Sequence, residues 1–166
     1  VRGLQFAGAL NTSGAELRGA QFGTVNYVPA ETRGAQFGTL NYTGAMLRGA
    51  QLGTINYVGQ GMRGAQFGTV NVARADGAGA QAGVLNLHKG RLDGVQLGVV
   101  NIAEDSDFSL GLVNIIYGGR VHLDAWTTET GMTHMALKTG GDHFHYIYGA
   151  GVRPETDTRP GLLSFN

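Results

Sequence analysis

The 166-residue chain contains no cysteine. That excludes a disulfide framework and a thiolate metal site, and it fits an oxidising compartment without requiring one. Charge is scarce as well. Asp, Glu, Lys and Arg make up 14% of the residues, where a soluble domain ordinarily carries about a quarter. The formal net charge is zero, so nothing draws the whole chain to nucleic acid. No apolar run approaches the ~20 residues of a membrane helix, and no signal peptide is visible. The first residue is Val1 rather than Met, as in a mature or trimmed fragment, which leaves a removed export signal open. Nucleophile elbow, phosphate loop and H-E-x-x-H are all missing. Catalysis and a cofactor are therefore not expected.

What is present is a repeat. Arg18-Gly19-Ala20-Gln21-Phe22-Gly23-Thr24-Val25-Asn26 returns at 33–41, 48–56 and 63–71, and in weaker copies at 78–86 and 93–101. Asn11, Asn26, Asn41, Asn56, Asn71, Asn86 and Asn101 stand fifteen residues apart. So short a period signals a stacked-repeat architecture. Counting from the Arg, position two is always Gly, position four Gln, position six Gly, position eight aliphatic and position nine Asn. Two fixed glycines per unit would each cost a helix ~1 kcal/mol, whereas the Phe, Thr, Val, Ile and Tyr of the motif suit strands.

Positions three and five are apolar (Ala20, Phe22), and so are positions eight and ten (Val25, Tyr27). The two sets have opposite parity, so a single straight strand cannot bury both. The position-six glycine between them marks a corner where the phase switches. The residue before the Arg (Leu17, Leu47, Met62, Leu92) dips inward from the turn. Stacked in parallel, each position lies ~4.8 Å above its copy, and columns of Asn or Gln bond along the stack. In an antiparallel meander like residues would not meet, and the fixed amides would have no purpose.

The expectation is an all-β fold: a parallel β-solenoid of 15-residue coils over residues 1–117, with a C-terminal antiparallel β-cap over 118–166. Its end coils are irregular. The first has an extra residue before Gly8, and Asn114 follows Asn101 by only thirteen. The cap strands are expected around 121–126, 133–138, 144–148 and 162–165, the last cut short. Exposed strand edges at the ends suggest self-association through them.

The tandem G-x-Q-x-G-x-x-N units and the junction Ser106-Asp107-Phe108-Ser109-Leu110-Gly111-Leu112-Val113-Asn114-Ile115-Ile116-Tyr117-Gly118-Gly119 resemble a family of bacterial cell-envelope surface-repeat proteins, over nearly the whole chain. The resemblance implies export to the cell surface, periplasm or outer membrane. It implies a non-enzymatic role with an unknown surface or protein partner, and it assigns no functional residue.

Three constellations could still carry chemistry. Thr24, Thr39, Thr54 and Thr69 sit two residues before Asn26, Asn41, Asn56 and Asn71. If both rows point outward they form a flat grid able to dock on ice or a glycan. If the Asn form an inward ladder there is no such grid, and the ladder is favoured because Asn86 and Asn101 persist after Thr gives way to Val84 and Val99. Arg18, Arg33, Arg48 and Arg63 stack as a column whose repulsion must be relieved by water, by Glu16 and Glu31, or by an acidic partner. His122, His134, His143 and His145 cluster late, with Asp142 nearby. His143-x-His145 offers two ligands where zinc needs three or four, so no metal is expected. A segment of an outer-membrane β-barrel is the remaining alternative, although Gln and Thr suit a lipid-facing band poorly.

Overall fold

The structure, a computed structural model, describes residues 1–118, 122–129, 131–140, 145–153 and 164–165. Among them there is no helix, hence none long and apolar enough to cross a membrane. The chain builds a parallel β-solenoid of about eight coils, numbered here by their position-nine Asn from Asn11 to Asn114. Longer strands β1 (Arg2–Phe6), β3 (Leu17–Phe22), β5 (Thr32–Phe37), β7 (Leu47–Leu52) and β9 (Met62–Phe67) stack as one sheet. Shorter strands β2 (Leu10–Thr12), β4 (Val25–Val28), β6 (Leu40–Thr43), β8 (Ile55–Val58) and β10 (Val70–Ala73) stack as the other. The extended run β11 (Gly77–Leu110) carries both sheets through the sixth and seventh coils, and β12 (Val113–Ile116) closes the stack. Every pairing in this region is parallel, which rules out a meander barrel for it.

Register follows the repeat. Arg33 lies over Arg18 and Arg48 over Arg33, while Asn41 lies over Asn26. The irregular end coils are absorbed at bends. Arg2 pairs Arg18 while Leu10 pairs Val25, so the extra residue falls between Phe6 and Leu10. Val113 pairs Val100, which accommodates the two-residue deletion before Asn114.

Two glycine columns are demanded by close stacking. Position two has positive φ throughout, from 132° at Gly79 to 155° at Gly94 among the regular coils. A Cβ on Gly34 would lie 1.8 Å from the carbonyl oxygen of Gly19. Position six forms the expected corner between the two strands of each coil. There a Cβ on Gly53 would lie 2.0 Å from the Gly38 oxygen and 2.6 Å from Asn41 Nδ2.

The parity switch at that corner is real and the Asn column points inward as favoured, but the apolar columns point the opposite way from the expectation. Ala20, Phe22, Val25 and Tyr27 face outward, and Gln21 and Asn26 are fully buried. The core comprises a row of Leu17, Thr32, Leu47, Met62, Gly77 and Leu92, the Gln row, the Asn row, and a row of Val28, Thr43, Val58, Ala73, His88 and Ala103. Apart from Gly77, these side chains are almost entirely buried. The inward-dipping Leu17, Leu47, Met62 and Leu92 are as expected. A buried amide costs free energy unless bonded, and a parallel stack supplies a partner from the next coil at every level.

In the third coil Thr32 Oγ1 and Thr43 Oγ1 lie 2.8 Å apart, and Thr43 donates to Gln36 Oε1 at 3.1 Å. Their column neighbours are Leu17 and Leu47, and Val28 and Val58. Removing both hydroxyls while keeping the shape should therefore cost less than the two single changes together. Thr32→Val or Thr43→Val is expected to lose about 1–2 kcal/mol, and the double variant no more than about 1 kcal/mol, read from urea unfolding as a double-mutant cycle.

Beyond the solenoid lies a four-stranded antiparallel sheet of β13 (His122–Thr127), β14 (Thr133–Gly140), β15 (His145–Val152) and β16 (Ser164–Phe165). Asn114 N–H donates to the Tyr148 hydroxyl at 3.1 Å, linking this sheet to the last coil.

Candidate binding surface

The two amide ladders remove half of the proposed Thr–Asn grid. Asn26, Asn41, Asn56 and Asn71 are each wholly buried. Each Asn Nδ2 donates to the Oδ1 of the next coil's Asn, at 2.8–2.9 Å for these four. It also donates to a backbone carbonyl, as Asn26 does to Phe37 O at 2.9 Å. The Gln ladder runs the other way, each Nε2 donating to the previous coil, as in Gln36 to Gln21 at 2.9 Å and Gln51 to Gln36 at 2.8 Å. The neighbouring backbone carbonyls, such as Tyr42 O for Gln36, fix which amide atom is nitrogen. The Asn therefore cannot contact a ligand. Thr24, Thr39, Thr54 and Thr69 are exposed as a single column at the corner, where Thr24 Oγ1 donates to Gly8 O at 2.7 Å.

What the coils present outward is the apolar half of the motif. Phe6, Phe22 and Phe37 stack with ring centroids 4.8 and 4.7 Å apart. Tyr27, Tyr42 and Tyr57 stack at 4.9 and 5.1 Å on the other sheet. Beside the Tyr runs an aliphatic column with Leu10, Leu40, Ile55 and Val113 exposed. Positions three to ten carry no charged residue in any coil, from Leu4–Thr12 through 20–27 to 108–115. The surface thus wraps from one sheet, round the Thr corner, onto the other, and is longer than the scattered apolar residues of an ordinary exterior. Sequence reasoning missed it by assigning these columns to the core; the absence of charge was the available signal.

Charge is confined to the opposite edge. Two glutamates thread the arginine column: Glu16 bridges Arg18 at 3.0 Å and Arg33 at 2.8 Å, and Glu31 bridges Arg33 at 3.2 Å and Arg48 at 2.7 Å. Hydrogen bonding from Arg33, with help from Arg48, lowers the Glu31 pKa against its partial desolvation. The like-charge column is thus relieved from within as far as Arg48. Arg63 has no ion pair among the described residues. Further along, Arg91 alone faces Asp93, Asp105 and Asp107 at 2.6, 3.3 and 3.5 Å.

Of the histidines singled out by the sequence, His143, and with it Asp142, lies outside the described residues, as do the side chains of His122 and His145. His134 stacks on Trp126 with centroids 5.2 Å apart. Among the described residues no three His, Asp or Glu are grouped to hold a metal ion. His88 went unnoticed in the sequence. It takes the place that Ala73 and Ala103 hold in neighbouring coils and is 1% exposed; its ring nitrogens make no well-formed hydrogen bond, with only the backbone of Arg91 and Ala75 near enough to favour the charged ring. Burial lowers its pKa below the usual histidine value, against the opposing pull of the Arg91 and Ala75 backbone and the Asp76 charge. The unfolded chain thus takes up a proton near pH 6.5 that the fold resists. Stability should fall as pH drops through that value, by up to about 1.4 kcal/mol per pH unit, until the folded pKa is reached. His88→Ala should flatten this slope, as measured by urea unfolding at pH 7.5 and 5.5.

No family model, no curated protein and no solved structure matches the chain.

Proposed function

We propose that the chain is a non-enzymatic, exported repeat protein of a bacterial cell envelope, whose solenoid presents a long face for binding or assembly. The observation that carries this reading is the charge-free band of the exterior, held in register coil after coil by the bonded amide ladders of the interior. A repeating surface on a rigid stack suits an extended or repeating partner. The likeness of the repeats and the junction to envelope surface-repeat proteins supports export. The test is co-sedimentation of the purified chain with isolated bacterial envelopes, beside a Phe37→Lys, Tyr42→Lys variant with unchanged circular dichroism. Binding by the parent and loss in the variant is the expected result. No binding, or equal binding by both, would overturn it.

A second reading rests on the exposed Thr column alone. If Thr24, Thr39, Thr54 and Thr69 recognise ice or a glycan, a Thr39→Leu, Thr54→Leu variant should lose thermal hysteresis or glycan retention without loss of fold.

A further inference from the structure

Along the outer face of the longer strands, the position-one column changes sign. It reads Arg2, Arg18, Arg33, Arg48 and Arg63, then Ala78, then Asp93, with Asp105 and Asp107 gathered beside Asp93 around Arg91. Arg63, which has no ion pair among the described residues, and the acidic excess at Asp93 lie on either side of the sixth coil. On this face the sixth coil carries only Ala78, Ala80 and Ala82, paired with Arg63, Ala65 and Phe67 of the coil before. These small side chains lie between Phe67, 46% exposed, and Leu97, 43% exposed, and Ala78 floors a recess flanked by Arg63 and Asp93.

We propose that this face pairs with a second copy of the chain, sheet on sheet, with the solenoid axes antiparallel and a two-fold axis over the sixth coil. This rests on, and specifies, the assembly reading above. A two-fold lying in the interface and perpendicular to the solenoid axis keeps each column over its own column and reverses the order of coils. Centred on the sixth coil, it sets Ala80 over Ala80, where the backbones approach closest. It sets Phe67 of each copy against Leu97 of the other, and Arg63 against Asp93. Arg48 then meets the Asp107 edge. Centring the overlap on the whole stack would instead set Arg48 against Arg63, a like-charge contact that costs affinity. A parallel arrangement would set the Arg column against the Phe column. The overlap covers the fourth to eighth coils, about 24 Å long at ~4.8 Å per coil and about 13 Å wide. That is small for a specific interface, so the dimer is weak and salt-sensitive.

The absence of native cysteine makes the register directly testable. Arg63→Cys chains are mixed with Asp93→Cys chains under mild oxidation, and each is also oxidised alone. Within one chain these positions are two coils, ~10 Å, apart, beyond disulfide reach. Cross-linked dimer should form in the mixture and far less in either chain alone. In sedimentation equilibrium at low salt, Arg63→Asp and Asp93→Arg should each weaken the dimer at least about tenfold, and the double variant should recover it. A chain that stays monomeric at its highest soluble concentration would overturn the proposal, as would cross-linking of Arg63→Cys to itself as readily as to Asp93→Cys, or no recovery in the double variant. Envelope binding is scored separately. A monomer that still binds envelopes defeats only this inference, and a dimer of this register that does not bind them defeats only the envelope reading.

Discussion

Gly49→Ala should disrupt the solenoid at its middle, at a cost of about 4 kcal/mol or more, far above the usual effect of a single methyl group. Two independent obstacles coincide there. The backbone has φ of 140°, which an L side chain rarely adopts. The added Cβ would lie 1.9 Å from Gly34 O and 2.8 Å from Gly34 C. Gly49 is itself paired with Gly34 on one side and Gly64 on the other, so moving away from one neighbour presses on the next. Stability in stacked repeats is a sum over adjacent interfaces, so the loss should divide the stack rather than soften it uniformly. Hydrogen exchange should show the coils on either side of Gly49 opening together, and urea unfolding should lose its single transition. Gly14→Ala is the control. Nothing lies within 4 Å of its added Cβ, its φ is not positive, and a change within about 0.5 kcal/mol is expected. If Gly49→Ala were equally mild, the two-glycine contact would not be what sets the spacing of the coils.

The period of fifteen in Asn11 to Asn101 was enough to specify parallel stacking, because a column of like amides has partners only in that arrangement. The corner at Gly23 was legible from the change of parity between Phe22 and Val25, and the irregular end coils from the spacing around Gly8 and Asn114. The inward Asn ladder and the inward Leu17, Leu47, Met62 and Leu92 were legible as well, but the direction of the apolar columns was not. Hydrophobicity assigns Phe22 and Tyr27 to the interior, a rule that holds when buried amides lack partners and cannot fill the core themselves. Here the coil spacing supplies those partners, and the interior, with Thr32 and Thr43 bonded across it, is filled by smaller or unbranched side chains. The aromatic rings are displaced to the exterior, where they stack on their own copies. The Thr–Asn rows failed as one grid for the same reason: the parity that exposes Thr24 buries Asn26 two residues later, across the bend. The charge-free band and the reversal from Arg63 to Asp93 were visible in the sequence. They acquired meaning only once the structure showed that band to be outside.

Asn41→Ala should cost about 2–4 kcal/mol, combining a small cavity with stranded polar groups. Asn41 Nδ2 donates to Leu52 O and to Asn56 Oδ1, both at 2.9 Å, and Asn41 Oδ1 accepts from Asn26 Nδ2 at 2.8 Å. Removing the amide leaves Asn56 Oδ1 without its ladder donor and Asn26 Nδ2 with Phe37 O as its remaining close acceptor. Because the ladder polarises in one direction, neighbouring bonds should weaken with it. Position along the stack provides the test. Asn11 lies at the first level, where its amide donates to Phe22 O and Asn26 Oδ1 and no earlier Asn bonds to it. Asn11→Ala should therefore cost less than Asn41→Ala by about 1 kcal/mol, the contribution of one net hydrogen bond. Urea unfolding of the two variants, with hydrogen exchange at the amides around residues 26 and 56, measures the difference. Equal losses at both positions would mean that the bond an Asn accepts from the coil before adds nothing to the bonds it donates.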